Sequence, residues 1–274
     1  YGARVVEPEV QPGRAVKVQD VQAALRRHPE VSAIFMVHLE TSTGVLNPIA
    51  EVGELTRREG LPLIVDAVSS AAVDPFEMEA WNVSVCATSS QKGLETPPGL
   101  GIAVVSEQGW KFIDERAVKD HGWYANLSYW REKAATRYVG EATVHPCLAT
   151  MAVNNVQALE MSLRRIIAEG MPERTRRHAR IAEALRVGLQ GLGFAVFPEP
   201  GFRSSAVTVV SNTLGIDVNE LILWLKSNYS IEISNGIAEL SNKIMRIGHI
   251  GQNAARDCIV PLLFGIEQFL RRKG

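Results

Sequence analysis

Cysteine is scarce in this sequence. Cys86, Cys147 and Cys258 are too few and too scattered for a disulfide framework or a zinc site, and a reducing, cytoplasmic setting fits them. Excess charge is also lacking: Lys+Arg 29 against Asp+Glu 30 leaves a net charge of -1. Without an overall field to draw in nucleic acid or an anionic membrane, the expected partner is a small molecule. No apolar run approaches the span of a bilayer. The opening residues Tyr1-Gly-Ala-Arg-Val-Val lack the basic start and apolar core of a signal peptide, and read as a chain entered in mid-domain. Several catalytic signatures are missing as well. There is no Gly-x-Ser-x-Gly elbow, and Gly99-Leu-Gly101 lacks the third glycine of a dinucleotide loop. His38, His121, His145 and His249 lack metal-ligand spacing. The one basic cluster, Arg174, Arg176, Arg177 and Arg180, opens a helical stretch and reads as a solvated helix face.

What is present is an ordinary globular composition, with 46% hydrophobic and 22% charged residues, long enough for one large domain with a smaller one attached. The first half alternates strand and helix signals. Asp20 can cap a helix running to Arg27, Val31 to Val37 is an apolar run of strand length, and Pro48 opens a helix to about Arg58. Leu61–Val65, Trp81–Ala87 and Gly101–Val105 are further strands. Strands separated by helices imply an α/β unit whose parallel sheet is covered on both faces. After about Tyr138 the texture changes to α+β. Long helices over Leu148–Glu169 and Pro172–Leu192 precede short strands at Phe194–Phe197, Ala206–Val210 and Ile231–Ser234, with helices at Val218–Lys226 and Asn253–Arg272. A boundary is expected near residue 165, giving units 1–165 and 166–274.

Two strand ends carry the chemical argument. Leu-Pro-Leu-Ile-Val-Asp66 sets a carboxylate where a buried strand emerges, and Val-Ser-Val-Cys-Ala-Thr-Ser-Ser-Gln-Lys92 sets a lysine just past the next. With a helix between them the two strands would form one βαβ unit and open at the same sheet edge, where open α/β sheets bind ligands. An aldehyde cofactor needs an amine to bond and an acid to hold its ring nitrogen protonated. Taken singly, either residue reads as a helix cap or a loop lysine; the pair does not.

Four segments resemble the class V aminotransferases, closest to the alanine–glyoxylate and serine–pyruvate (serine–glyoxylate) branch. They are His38-Leu-Glu-Thr-Ser-Thr-Gly-Val-Leu-Asn-Pro48, Val65-Asp-Ala-Val-Ser-Ser70, Ser90-Gln-Lys-Gly-Leu-Glu-Thr-Pro-Pro-Gly-Leu100 and Ile244-Met-Arg-Ile-Gly-His-Ile-Gly251. The resemblance implies pyridoxal 5'-phosphate as cofactor and the aspartate-aminotransferase (fold type I) architecture: a large α/β domain with a small C-terminal α+β domain. By the same resemblance, Lys92 matches the Schiff-base lysine that also moves the substrate α-proton. Asp66 matches the partner of the ring nitrogen, Val68 the apolar side chain against the ring, and Thr41 the hydroxyl near its phenolic oxygen. Gln91 matches a neighbour of the phosphate, and Arg246 the clamp on the substrate carboxylate, whose planar fork suits that contact. Thr150 matches a threonine that reaches the cofactor phosphate of a second subunit, which implies a homodimer. The implied reaction moves an amino group from an alanine- or serine-type amino acid to glyoxylate or pyruvate.

The sequence departs from the family pattern in places. No Gly-rich turn for the phosphate and no ring-stacking aromatic precede Val31, which implies a chain lacking an N-terminal part. Cys147 stands where a tyrosine is expected and Ser89 where a smaller residue is expected. Two other readings stay open: a lyase or desulfurase on the same scaffold, and a non-catalytic protein that keeps the fold for association. Trp123, Tyr124, Tyr129 and Trp130 read as packing at a domain or subunit contact.

Overall fold

A helix α1 (Val18–Arg27) leads into strand β1 (Ile34–Val37), the first of a four-stranded sheet in this computed structural model, which describes residues 2–116, 122–135 and 148–273. Lys17 N donates to Asp20 Oδ2 at the start of α1, so Asp20 caps from inside the first turn. A hairpin of β2 (Leu39–Glu40) and β3 (Val45–Leu46) follows, then α2 (Ile49–Glu59), which ends on left-handed Gly60. Strands β4 (Leu63–Asp66), β5 (Val83–Ser89) and β6 (Gly101–Val105) complete the sheet in the order β1-β4-β5-β6. Val52, Leu55, Leu63, Val65 and Val83 form its core against α2, all at 1% exposure or less. Each such buried aliphatic side chain contributes about 1.5–3 kcal/mol. Helices α3 (Glu107–Glu115), with its Ser106 cap, and α4 (Leu127–Ala135) follow.

Helix α5 (Val153–Glu169) leads to α6 (Met171–Gly191) and a second sheet. Its strands are β7 (Ala195–Val196), β8 (Val207–Ser211), β9 (Ser234–Asn235) and β10 (Ile244–Gly248), in the order β7-β8-β10-β9 and all antiparallel. Helices α7 (Val218–Tyr229) and α8 (Arg256–Lys273) pack on one face of this sheet with α6, closing a core around Leu185, Leu225, Met245, Ile266 and Phe269. The other face carries Val207, Val209 and Ile244, which meet Leu39 and Val73 of the first half. The second sheet therefore sits over the loops that leave the carboxyl ends of β1 and β4.

The sheet is mostly parallel, over β1, β4 and β5, and β6 returns antiparallel to β5 after a loop too short for a crossover. Four expectations are corrected. No α-helix connects β4 to β5. Left-handed Ala72 and Pro75 break residues 67–82 into separate turns, closed by Ala71 N to Ala67 O and by Trp81 N to Glu77 O. β5 starts at Val83, not Trp81, whose ring stacks edge-on against His38 and Phe76. Finally, α5 begins at Val153 rather than Leu148, and Ile231–Ile233 precedes β9 instead of forming it.

Candidate active site

Parallel pairing brings three loops to one edge. Val37 pairs with Asp66, and Asp66 with Ala87, so the chain segments after β1, β4 and β5 emerge side by side. The first carries Thr41, half-buried in the turn of the β2–β3 hairpin. Asp66 and Val68, both half-buried, stand on the second, and Gln91 and Lys92 on the third. The βαβ premise was wrong in its helix but right in its consequence, since the strand direction, not the connection, sets which edge the residues share.

Local hydrogen bonds fix each loop. Asp66 Oδ1 accepts from Val68 N at 2.8 Å, which turns the backbone sharply after β4, and Oδ2 has no donor among the described residues. Asp66 O accepts from His38 N at 2.8 Å, tying the first loop to the second. The Ser90 hydroxyl donates to Pro97 O at 2.7 Å and accepts from Leu100 N, and Thr96 N and Oγ1 both donate to Ser90 O. That knot shapes residues 90–100 into a rigid loop with half-buried Lys92 on it. Among the described residues, Lys92 Nζ has no carboxylate or carbonyl partner. Gly93 follows Lys92 because a Cβ there would collide with the Ala71 carbonyl oxygen of the neighbouring loop.

Arg246 lies on the face of the second sheet that meets the first half. Side chains alternate along a strand. Met245 and Ile247 face the helices, so Arg246 shares the opposite face with Ile244, which packs on Leu39 and Val73. Its Nε donates to Asn235 O at 2.9 Å, and the rest of the guanidinium has no acceptor among the described residues. Shortly beyond, Gln252 N donates to Glu95 Oε1 at 2.8 Å, joining the β10 turn to the Lys92 loop. Thr150 is not brought in. It lies exposed ahead of α5, whose Asn155 bonds Pro98 O, and among the described residues nothing ties its hydroxyl to the three loops.

The surrounding titratable groups are silenced by burial. His38, its Nδ1 bonded to Ser70 Oγ at 2.9 Å, is pushed down to about 4. His249, its Nε2 bonded to Thr208 Oγ1 at 2.9 Å, is likewise pushed down to about 4 by burial and then by the Arg186 charge. His249 thus turns to Thr208 and is a core residue. Burial, with the Asp66 charge behind it, pushes the Cys86 thiol up to about 11, so this cysteine is no nucleophile. Cys258 is helical and exposed, and Cys147, His121 and His145 lie outside the described residues. Among the described residues no group of histidines, cysteines and carboxylates can hold a metal.

The residues present suit a ring with one phosphate and one aldehyde. Among the described residues the Ser89 hydroxyl at the end of β5 is buried without a partner, and Asp66 and Lys92 stand on loops that leave the same sheet edge. Sequence reasoning treated Ser89 only as a departure; its position as the last residue of β5 was the available signal.

Comparison with known proteins agrees. Residues 1–249 match the Aminotransferase class-V family. The chain belongs to that family. Members of the family are pyridoxal-phosphate-dependent enzymes. An uncharacterized aminotransferase of Methanocaldococcus jannaschii is 33% identical across 100% of this chain and 69% of its own length. Alanine–glyoxylate aminotransferase of Mus musculus is 30% identical, covering 98% of this chain and 64% of that protein. Ureidoglycine–glyoxylate aminotransferase from Bacillus subtilis superposes with a TM-score of 0.90 at 28% identity, over 99% of this chain and 68% of that one. The chain thus spans about two thirds of the length of these relatives, and the superposition identifies the architecture as fold type I.

Proposed function

We propose that this protein is a pyridoxal-phosphate-dependent transaminase that moves an amino group from a small amino acid of the alanine or serine type to glyoxylate or pyruvate. The observation that carries the reading is the pair Asp66 and Lys92 at the ends of adjacent parallel strands, with Asp66 Oδ2 and Lys92 Nζ both unpartnered among the described residues. When bound, the cofactor supplies an electron-withdrawing ring that makes the substrate α-C–H acidic. The chain's own residues do the rest. Lys92 Nζ holds the cofactor, then takes the α-proton and returns it. The free Asp66 oxygen holds a proton on the ring nitrogen. Val68 packs on the ring, Thr41 offers a hydroxyl to its phenolic oxygen, and Gln91 lies toward the phosphate. Arg246 grips the substrate carboxylate in a two-pronged contact.

Thr150 belongs to this reading through assembly: exposed here, it is free to reach the cofactor phosphate of a second subunit, which makes the enzyme a homodimer. A boundary near residue 165, inside α5, divides the cofactor-holding part from the smaller one. A cytoplasmic setting fits the free, unpaired thiols; among the described residues no helix is long and apolar enough to cross a membrane. The relatives named for glyoxylate and pyruvate support those acceptors. The buried, protonated Cys86 speaks against the desulfurase alternative.

Borohydride reduction of the holoenzyme followed by peptide mass mapping tests the reading. The cofactor mass should appear on Lys92, and Lys92→Ala should abolish turnover while leaving the fold. Cofactor attached to another lysine would refute it.

A further inference from the structure

We infer that Arg174 is a positioning residue for Lys92, a buried cation that holds the Asp66 loop and the Lys92 loop against each other; this rests on the reading of Lys92 and Asp66 given above. The sequence pattern placed Arg174 on a solvated face with Arg176, Arg177 and Arg180. The structure overturns that for Arg174, whose side chain is 3% exposed while that of Arg176 is 60% exposed.

Every arm of this guanidinium is engaged. Nε donates to Ala72 O at 2.7 Å, and Nη2 donates to Gly93 O at 2.8 Å and to Glu95 Oε2 at 2.6 Å. Nη1 donates to Glu169 Oε2 at 2.9 Å. Ala72 lies in the turns that follow Asp66, and Gly93 is bonded to Lys92, so one planar fork spans the two loops. The helix bearing Arg174 is held in turn by the β10 turn. His178 Nε2 accepts from Gly251 N, and Arg177 donates to Gly251 O and Ala254 O. Two carboxylates, Glu95 and Glu169, offset the two buried or half-buried cations, and hydrogen bonds from Arg177 and then Arg174 hold the Glu169 carboxyl below its usual range.

Backbone geometry shows what the fork is for. Ala72 and Glu95 both sit in the left-handed region, φ 60 and φ 54, without being glycine. Such residues persist only where the surroundings over-determine them. Arg174 binds the carbonyl of one and the side chain of the other. Releasing the fork lets both turns relax, and with them the peptide that aims the Lys92 side chain. A lysine at 174 would keep the charge but, as a point donor, could not span Ala72 O and Gly93 O together.

The test uses Arg174→Lys holoenzyme. Misplacing a reacting group by about 1 Å costs on the order of 100-fold. We expect kcat to fall about 10-fold to 100-fold with KM for the amino donor changed less than about threefold. Hydrogen–deuterium exchange of the apoprotein gives a readout apart from turnover. Peptides covering 66–74 and 90–96 should exchange at least about tenfold faster, with α7 and β8 unchanged. A folded Arg174→Lys protein with wild-type kcat and wild-type exchange in both peptides overturns the proposal, as does exchange that rises equally everywhere. Should Arg174→Lys not fold, Glu95→Gln takes its place: faster exchange confined to 90–96 supports the clamp, and unchanged exchange there overturns it. Turnover retained in Lys92→Ala would refute the assignment of Lys92 while leaving the exchange result to stand or fall by itself.

Discussion

His38 shows how one side chain supports the site without entering it. At 2% exposure it cannot hold a charge, and its Nδ1 bond to Ser70 Oγ pins the turn that follows Asp66. Its folded pKa of about 4 lies below the unfolded value of 6.5. The unfolded chain therefore binds more protons between those values, and stability falls as pH drops from about 6.5 to 4. A shift of this size corresponds to roughly 3 kcal/mol at full development. His249, also held down by burial, contributes with the same sign and Asp74, raised by burial, with the opposite sign, so the wild-type profile alone would mix them. Comparing urea unfolding of the wild type with His38→Asn at pH 7 and pH 4.5 isolates the histidine. The variant should be less stable at pH 7 and lose less stability on acidification. Equal pH slopes in the two proteins would show that His38 is not the group responsible.

Strand β10 is the element through which the second sheet addresses the site. Its alternation sends Met245 and Ile247 into the helical core and Ile244 with Arg246 toward the loops of the first half. Arg246→Ala should weaken amino- and oxo-acid binding and leave the cofactor's absorbance unchanged. Losing a charged hydrogen-bonding partner in a site costs about 2 to 5 kcal/mol, roughly thirtyfold or more in kcat/KM. A loss under about threefold would make this arginine structural, and Arg246→Lys should also be poor because an ammonium lacks the fork. The element scale also shows why the sequence was legible where it was. Apolar runs at Leu61–Val65 and Trp81–Ala87 announced β4 and β5, and their shared direction set Asp66 and the Lys92 loop at one sheet edge. The β4–β5 connection was misread because its apolar, Ala-rich start has helix composition, while left-handed Ala72 and Pro75 forbid continuation. The antiparallel return of β6 was hidden because strand direction leaves no mark in composition. Arg174 was hidden for a related reason: its acceptors are Ala72 O and Gly93 O, backbone carbonyls that residue types do not reveal.

At the scale of the whole molecule, the two sheets are joined by polar contacts as well as by the Leu39, Val73 and Ile244 cluster. Asp74 accepts from Ser204 Oγ and Ser205 N at 2.7 Å each, and Arg186 donates to Ser204 O. The first sheet, by contrast, ends in two edges that no strand pairs among the described residues. In the order β1-β4-β5-β6 the outer strands are β1 and β6, and they carry Phe35 at 64% and Val104 at 48% exposure. An edge strand with apolar side chains and unpaired backbone groups is a template for another chain. Beside β1 lies an apolar groove of about 470 Å³ between Val6–Val16 and Val31–Val37. The chain should therefore self-associate. Light scattering at rising concentration should show association that Phe35→Lys with Val104→Lys reduces, because a lysine on each edge opposes strand pairing. Both substitutions lie on exposed positions, so the melting temperature should change little. A monodisperse wild-type chain, or association untouched by the two lysines, would show that the open edges do not govern how this chain behaves in solution.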